Sequence, residues 1–313
     1  MSLTNKLIVI LGPTSSGKTD LSIKLAKKFS GEIVSADSRQ VYNGMDIGSG
    51  KITKKEMQGI PHYLLDVANP KRKFTVSQYQ KLALFAIKKI QNKGKIPFLV
   101  GGSGLYIQSI VDGIIIPEVK PDWKLRKKLE KKNNKELYSM LLKMDPLRAH
   151  SIDKDNSRRL IRAIEIVLKT KKPVPNLKAK SQFNVLEIGI IRTQDELKKL
   201  INKRLLKRLK KGMIAEVKKL RASGLSFNRL EEFGLEYRFV AQWIFCNIRS
   251  ASIAKYRKVF QCPFTYQEMI NKIQKETGRF AKRQMTWFKR DSRIRWVKNY
   301  KESERLVKSF MSS

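Results

Sequence analysis

Three features of the sequence predict an α/β protein built on a parallel sheet. The run Leu7-Ile8-Val9-Ile10-Leu11 is apolar throughout, as a strand buried on both faces requires, and a glycine loop follows it at once. An amphipathic helix over Lys18–Phe29 comes next, and strand-helix alternation continues beyond it. Between residues 117 and 184 the alternation stops and basic, helix-forming sequence takes over. The predicted class is therefore α/β, a P-loop NTPase-like parallel sheet flanked by helices, with a mainly helical insertion domain. Residues 1–116 and 185–313 form the core, and residues 117–184 the insertion.

The glycine loop reads Gly12-Pro13-Thr14-Ser15-Ser16-Gly17-Lys18-Thr19. Strand before and helix after are the context a P-loop requires. The glycines let backbone N–H groups curl around an anion, and the helix N-terminus adds its positive dipole end. Lys18 reaches the outer phosphate, and the Thr19 hydroxyl is offered to Mg²⁺. Gly12 to Thr19 are thus expected to hold a di- or triphosphate.

Gly31-Glu32-Ile33-Val34-Ser35-Ala36-Asp37 reads as a second strand ending in an acid. Chemistry in open α/β sheets gathers at the carboxyl ends of strands, which places Asp37 next to the P-loop across the sheet. Asp37 reads either as an N-cap or as a general base or outer Mg²⁺ ligand. Residues 43–73 are glycine-spotted and read as a long loop with short elements, His62 packing within it.

Thr75 and Gln78 form a capping box, and Tyr79, Leu82, Ala83, Ala86, Ile87 and Ile90 follow at helical spacing. Ile96–Val100 is then a buried strand that runs into Gly101-Gly102-Ser103-Gly104-Leu105-Tyr106. A nucleotide hydrolase usually places a carboxylate at the end of such a strand to hold Mg²⁺. Here the strand ends in two glycines, either as a tight packing turn or because backbone must approach a ligand.

Inside the insertion, Arg158, Arg159 and Arg162 open a helix whose apolar residues are Leu160, Ile164 and Val167. Arg158 and Arg162 share one face, which is either solvated, with Arg162 paired to Glu165, or an RNA contact. Val185–Ile191 resumes the sheet. Thr193 and Glu196 then cap a long helix with an apolar stripe of Leu197, Ile201 and Leu205, and its Lys198, Lys203, Lys207 and Arg208 read as a solvated face.

The formal net charge of +40 over 313 residues predicts a polyanionic partner, most simply nucleic acid. A lysine-rich surface alone would not gather Arg beside aromatics as the stretch from Gly278 to Trp296 does. There, basic side chains suit phosphates, and the rings suit either unpaired bases or the inward face of an amphipathic core helix, or both at once. No apolar run reaches membrane length. The two cysteines, Cys246 and Cys262, lack metal-ligand spacing and read as reduced. With no room for a signal peptide ahead of the first strand, the expected location is the cytoplasm.

Together the motifs GPTSSGKT (12–19), DSRQVY (37–42), MDIGSGK (45–51), GGSGLY (101–106), RRLIRAIEI (158–166), GMIAEVKKL (212–220) and RFAKRQMTWF (279–288) resemble the tRNA dimethylallyltransferase family, also called tRNA isopentenyltransferase. They occur in the family's order and span nearly the whole chain. The family more often has Thr where Ser103 stands, and Gly234-Leu235-Glu236-Tyr237-Arg238 replaces a Gly-Tyr-Lys-Glu type motif.

The resemblance implies transfer of a dimethylallyl group from its diphosphate to the exocyclic amine of the adenosine immediately 3′ of the anticodon. N6-isopentenyladenosine forms and diphosphate leaves. The P-loop would cradle diphosphate instead of ATP, with Lys18, Thr19 and Mg²⁺ offsetting its charge and Asp37 as the base. The target adenine would flip out of the anticodon loop. Asp37, Ser38, Arg39, Gln40, Ser103, Arg126, Arg158, Arg159, Leu160, Ile161, Arg162, Arg283 and Trp287 match the family's tRNA contacts. The insertion would grip the anticodon stem-loop, and the protein is expected to act as a monomer. Without the resemblance, a P-loop kinase of a small metabolite or nucleoside, or a non-catalytic RNA-binding protein, remains open. Prenyl transfer to unmodified tRNA separates the three.

Overall fold

The computed structural model describes residues 5–175, 181–247 and 265–313. Six parallel strands form one sheet: β1 (Lys6–Leu11), β2 (Gly31–Ala36), β3 (His62–Tyr63), β4 (Ile96–Gly101), β5 (Asn184–Ile190) and β6 (Arg295–Val297), in the order β3-β2-β4-β1-β5-β6. β1 lies near the middle and every one of its residues is buried. Its alternate residues serve two cores. Leu7, Val9 and Leu11 face one and Ile8 and Ile10 the other, which is why the strand is apolar throughout.

The helices are α1 (Lys18–Lys28), α2 (Lys54–Met57), α3 (Val76–Gln91), α4 (Gly104–Val111), α5 (Trp123–Leu129), α6 (Asn134–Met144), α7 (Pro146–Ser151), α8 (Ser157–Thr170), α9 (Gln194–Lys210), α10 (Met213–Ala222), α11 (Phe227–Phe233), α12 (Leu235–Cys246), α13 (Tyr266–Phe288) and α14 (Tyr300–Ser312). α1 and α14 cover the Ile8/Ile10 side, while α3, α4 and α9 to α13 cover the other. The two expected capping boxes are present: Thr75 accepts from the Gln78 amide and Thr193 from the Glu196 amide. Each box satisfies two otherwise orphaned N–H groups and fixes where its helix starts.

The chain divides into two compact units, residues 1–111 with 181–313, and residues 112–180. The second unit is helical, α5 to α8, around its own core of Leu129, Leu137, Leu141, Ala149, Leu160, Ile161, Ala163 and Ile164.

Three expectations are corrected. β2 does not adjoin β1, because β4 lies between them. Cys246, at the end of α12, is disulfide-bonded and not reduced, and Cys262 lies outside the described residues. The polar face of α9 is not wholly solvated, since Arg208 is largely buried and pairs with Glu236 at 2.7 Å. Among the described residues no helix is long and apolar enough to cross a membrane.

Candidate active site

The loop between β1 and α1 adopts backbone conformations that side chains disfavour. Gly12 has φ +147° and Gly17 φ +97°. A Cβ at Gly12 would also stand 3.1 Å from the Ile190 carbonyl, so both conformation and space demand glycine there. The amides of Ser15, Gly17, Lys18 and Thr19 make no backbone hydrogen bond among the described residues. They are the donors an anion at a helix N-terminus would take.

Lys18 folds back over this loop, donating to the Gly12 carbonyl at 3.0 Å and the Pro13 carbonyl at 2.6 Å. Burial lowers its pKa to about 7, the neighbouring Arg204 pushes the same way, and Asp37 opposes. The ammonium is thus poorly satisfied by its own carbonyls and suited to an anionic ligand. Thr19 is exposed at the first turn of α1.

Asp37 stands just past β2. Its Oδ1 accepts from the Arg39 amide at 2.8 Å and the Gln40 amide at 3.3 Å, so it caps a turn and not a helix. Its second oxygen, Oδ2, makes no hydrogen bond among the described residues. The end of β4 is the floor between Asp37 and the P-loop. Two strand spacings put the neighbouring strand ends about 10 Å apart. A Cβ at Gly101 would lie 2.1 Å from the Ala36 carbonyl, and one at Gly102 would lie 2.4 Å from Gln284 Nε2. The paired glycines therefore let β2, β4 and α13 close together, with the Gln284 carboxamide seated against Gly102. No carboxylate ends β4.

The motif residues around Asp37 mostly hold the site together. Ser103 Oγ accepts from the Ser38 amide at 3.0 Å, which accounts for a hydroxyl at that position. Gln40 donates to the Gly50 carbonyl at 3.2 Å. Arg39 Nε donates to the Phe233 carbonyl at 2.6 Å with its guanidinium against the Phe233 ring, so it is a packing residue here.

Arg204 is a site residue that our sequence reading missed. Burial lowers its pKa, with Arg208 adding and Glu236, Asp20 and Asp37 opposing. It makes no hydrogen bond or ion pair among the described residues. After Arg208 and Glu236, the charges that act on it include Asp20 and Asp37, and it in turn lowers the pKa of Lys18, so it shares the electrostatics of the P-loop. The signal was present in the spacing. Ile201, Arg204, Leu205 and Arg208 fall at i, i+3, i+4 and i+7, so both arginines lie on the apolar stripe.

The segment Gly234–Arg238 also acquires a role. The Glu216 carboxylate accepts from the amides of Asp46 (2.9 Å), Ile47 (2.6 Å) and Gly48 (3.0 Å) and from the Tyr237 hydroxyl (2.8 Å). Glu236 meanwhile holds Arg208, which donates to the Gly48 carbonyl at 3.2 Å. The motifs at 45–51, 212–220 and 234–238 are one clamp.

On α13, Arg279, Lys282, Arg283, Thr286, Trp287 and Arg290 line an open cavity of about 370 Å³. Arg283, Lys282 and Arg290 have no carboxylate partner among the described residues. Trp287 packs its ring against Gly104, where a Cβ would meet its Nε1 at 2.4 Å.

In the helical unit the basic residues divide. Glu165 is fully buried, and Arg126 grips it through Nε at 2.9 Å and Nη2 at 2.6 Å. Arg162 also bonds to Glu165 and donates to the Val119 carbonyl at 3.0 Å. Burial pushes the Glu165 carboxyl up, but the bonds from Arg126, the Asp122 amide and Arg162 outweigh it and hold it below the usual value. Leu160 and Ile161 are core residues of the same unit. Arg158 and Arg159 are exposed, Arg159 lying 3.9 Å from Asp153.

The fold and this site define a P-loop α/β protein in which the glycine loop after β1 and Asp37 after β2 stand at the same end of the sheet, with the glycines that end β4 between them. Residues 40–291 match the IPP transferase family, and the chain belongs to it. It is similar to the tRNA dimethylallyltransferase of Carboxydothermus hydrogenoformans, with 40% identity covering 96% of this chain and 94% of the relative. The corresponding enzyme of Halothermothrix orenii is 37% identical over 97% and 93%. Among solved structures it is similar to the tRNA isopentenylpyrophosphate transferase of Bacillus halodurans, with a TM-score of 0.70 and 33% identity covering 98% of this chain and 96% of that one.

Proposed function

We propose that this chain transfers a dimethylallyl group from dimethylallyl diphosphate to the exocyclic amine of the adenosine immediately 3′ of the anticodon in tRNA. The observation that carries this reading is the pairing of a P-loop that keeps unbonded amides with Asp37 across the Gly101-Gly102 end of β4. The P-loop amides, Lys18 and Arg204 bind the diphosphate. The amine nitrogen attacks the carbon bonded to it, the C–O bond breaks, and its electron pair leaves with the diphosphate. Asp37 Oδ2 takes the proton, since a carboxylate that is hydrogen-bonded through only one oxygen keeps the other for proton transfer. No water need be activated, which is consistent with the absence of a carboxylate at the end of β4.

The site suits Mg²⁺. Among the described residues no cluster of three or more His, Cys, Asp or Glu could cage a metal. Mg²⁺ seldom needs such a cage, because it takes one or two protein oxygens together with phosphate oxygens and water. Thr19 would be the direct ligand, with Asp37 behind it. Bound there, Mg²⁺ would neutralise charge on the departing diphosphate.

The RNA partner is the anticodon stem-loop. The exposed basic face of α13 would meet its phosphates, Trp287 would border an unpaired base, and Arg158 and Arg159 would add contacts from the helical unit. In this reading Arg126, Arg162, Leu160 and Ile161 shape that unit from within. One chain carries every group the proposed reaction needs, which fits a monomer, and a tRNA substrate fits the cytoplasm. Unmodified tRNA incubated with dimethylallyl diphosphate should yield prenylated adenosine by mass spectrometry. Rapid ATP hydrolysis without tRNA, lost in Lys18→Ala, would count for the kinase reading instead.

A further inference from the structure

Gln284 stands inside the basic and aromatic run of α13, yet it is 7% exposed and makes no use of the solvent face. Its carboxamide points into the sheet end. Oε1 accepts from the Thr14 amide of the P-loop at 2.8 Å, and Nε2 donates to the Gly102 carbonyl at 2.8 Å. The chain continues from Gly102 to Ser103, whose amide donates to the Ala36 carbonyl at 3.1 Å and whose hydroxyl accepts from the Ser38 amide at 3.0 Å. Ala36 and Ser38 flank Asp37. One side chain thereby links the diphosphate loop, the glycine floor and the turn that carries the base.

The chemistry of the two contacts leaves little choice of residue. The part-buried Thr14 amide takes an acceptor and the buried Gly102 carbonyl takes a donor. Glutamate supplies only acceptors when ionised, methionine supplies neither, and lysine or arginine supplies only donors. Gln284 also claims the Thr14 amide for itself. The donors left for a ligand therefore begin at Ser15, and their direction depends on where Thr14 is held.

We propose that Gln284 is a positioning residue that sets the P-loop for diphosphate. It acts through Thr14 and Gly102, and it ties the cradle to the helix whose opposite face carries Arg279, Arg283 and Arg290. This inference rests on the P-loop being a diphosphate site.

The test measures binding of inorganic diphosphate with Mg²⁺ to the full chain by isothermal titration, alongside an anticodon stem-loop RNA. Gln284→Met should weaken diphosphate binding about ten-fold and lower kcat, with RNA affinity within about two-fold of the parent. Gln284→Glu keeps the volume and the acceptor toward Thr14, so it guards against a Met variant that fails to fold. Its ionised form turns an oxygen toward the Gly102 carbonyl, and protonation restores a donor. Burial raises a carboxyl's pKa from its ordinary value of about 4.3, so the ratio of its diphosphate affinity to that of the parent should recover as pH falls from about 8 toward about 5. If both variants bind diphosphate like the parent at every pH and only melt earlier, Gln284 is a helix anchor and the proposal fails. If the parent itself binds no diphosphate, it is the reading of the P-loop that fails.

Discussion

The Tyr237 hydroxyl donates to Glu216 at 2.8 Å, and the same oxygen accepts from the Ser49 amide at 3.1 Å. The pair closes a ring of donors around one carboxylate, since Glu216 also takes the amides of Asp46, Ile47 and Gly48. A Cβ on Gly48 would lie 2.7 Å from the Tyr237 ring, so the loop seats against that side chain. Glu216→Ala should lose about 1–3 kcal/mol of stability, read as a lower denaturant midpoint. It should also raise the KM for tRNA, because Gln40, beside the base, is held by the Gly50 carbonyl of the same loop. A variant with unchanged tRNA kinetics would confine the clamp to stability.

Asp37→Asn keeps the shape of the side chain and its cap on the Arg39 and Gln40 amides, but not its basicity. We expect kcat to fall by about 10²–10⁴ with substrate affinities nearly unchanged. Asn and Asp cap about equally well. A near-normal kcat at an unchanged melting temperature would therefore reduce Asp37 to its capping role. Normal single-turnover chemistry with weakened tRNA binding would make it a recognition residue.

Arg204→Ala should weaken the interaction with prenyl diphosphate by about 1.5–3 kcal/mol, roughly ten- to 150-fold in kcat/KM, as expected for lost charge-assisted hydrogen bonds. Arg204→Lys should recover only part of this, because an ammonium does not reproduce the planar fork of a guanidinium. Steady-state kinetics with varied prenyl diphosphate decides it, and an Arg204→Ala enzyme with parental kcat/KM removes the residue from the site.

Lys18 makes binding pH-dependent. With its pKa lowered to about 7, it is largely neutral at about pH 8 in the free protein. A bound diphosphate favours the charged form and raises that pKa. Binding should then take up a proton at Lys18 above about pH 7, and little below about pH 6, where the lysine is already charged. Calorimetry in buffers of different ionisation enthalpy measures the uptake, and Lys18→Met should remove this contribution. Equal proton uptake by parent and variant would show that Lys18 is charged throughout.

The basic residues should separate into two classes. Arg162→Ala leaves the buried Glu165 with fewer donors and should cost about 1–3 kcal/mol of stability, seen as earlier thermal unfolding. Arg283→Ala should leave stability alone and lower the slope of log affinity for tRNA against log salt by about 0.7–0.9. An Arg283→Ala slope equal to the parent's would leave that side chain merely solvated.

What the sequence determined on its own was whatever rests on local chemistry. An all-apolar strand running into a glycine loop and a helix can fold in few ways, so β1, Gly12 to Thr19 and α1 were legible. The boxes at Thr75/Gln78 and Thr193/Glu196 are hydrogen bonds between near neighbours and were equally legible. Strand order was not, because nothing in the sequence of β4 says that it slides between β1 and β2. That insertion turns Gly101 and Gly102 from a turn into the floor of the site. Likewise the charges of Arg126 and Arg208 were visible but their partners were not, and the pairing of Arg162 with Glu165 was one of two readings left open. An arginine facing a buried carboxylate and one facing water have the same local sequence, and only the tertiary fold, which buries Glu165 and brings it to Arg126 and brings Glu236 to Arg208, decides between structure and recognition.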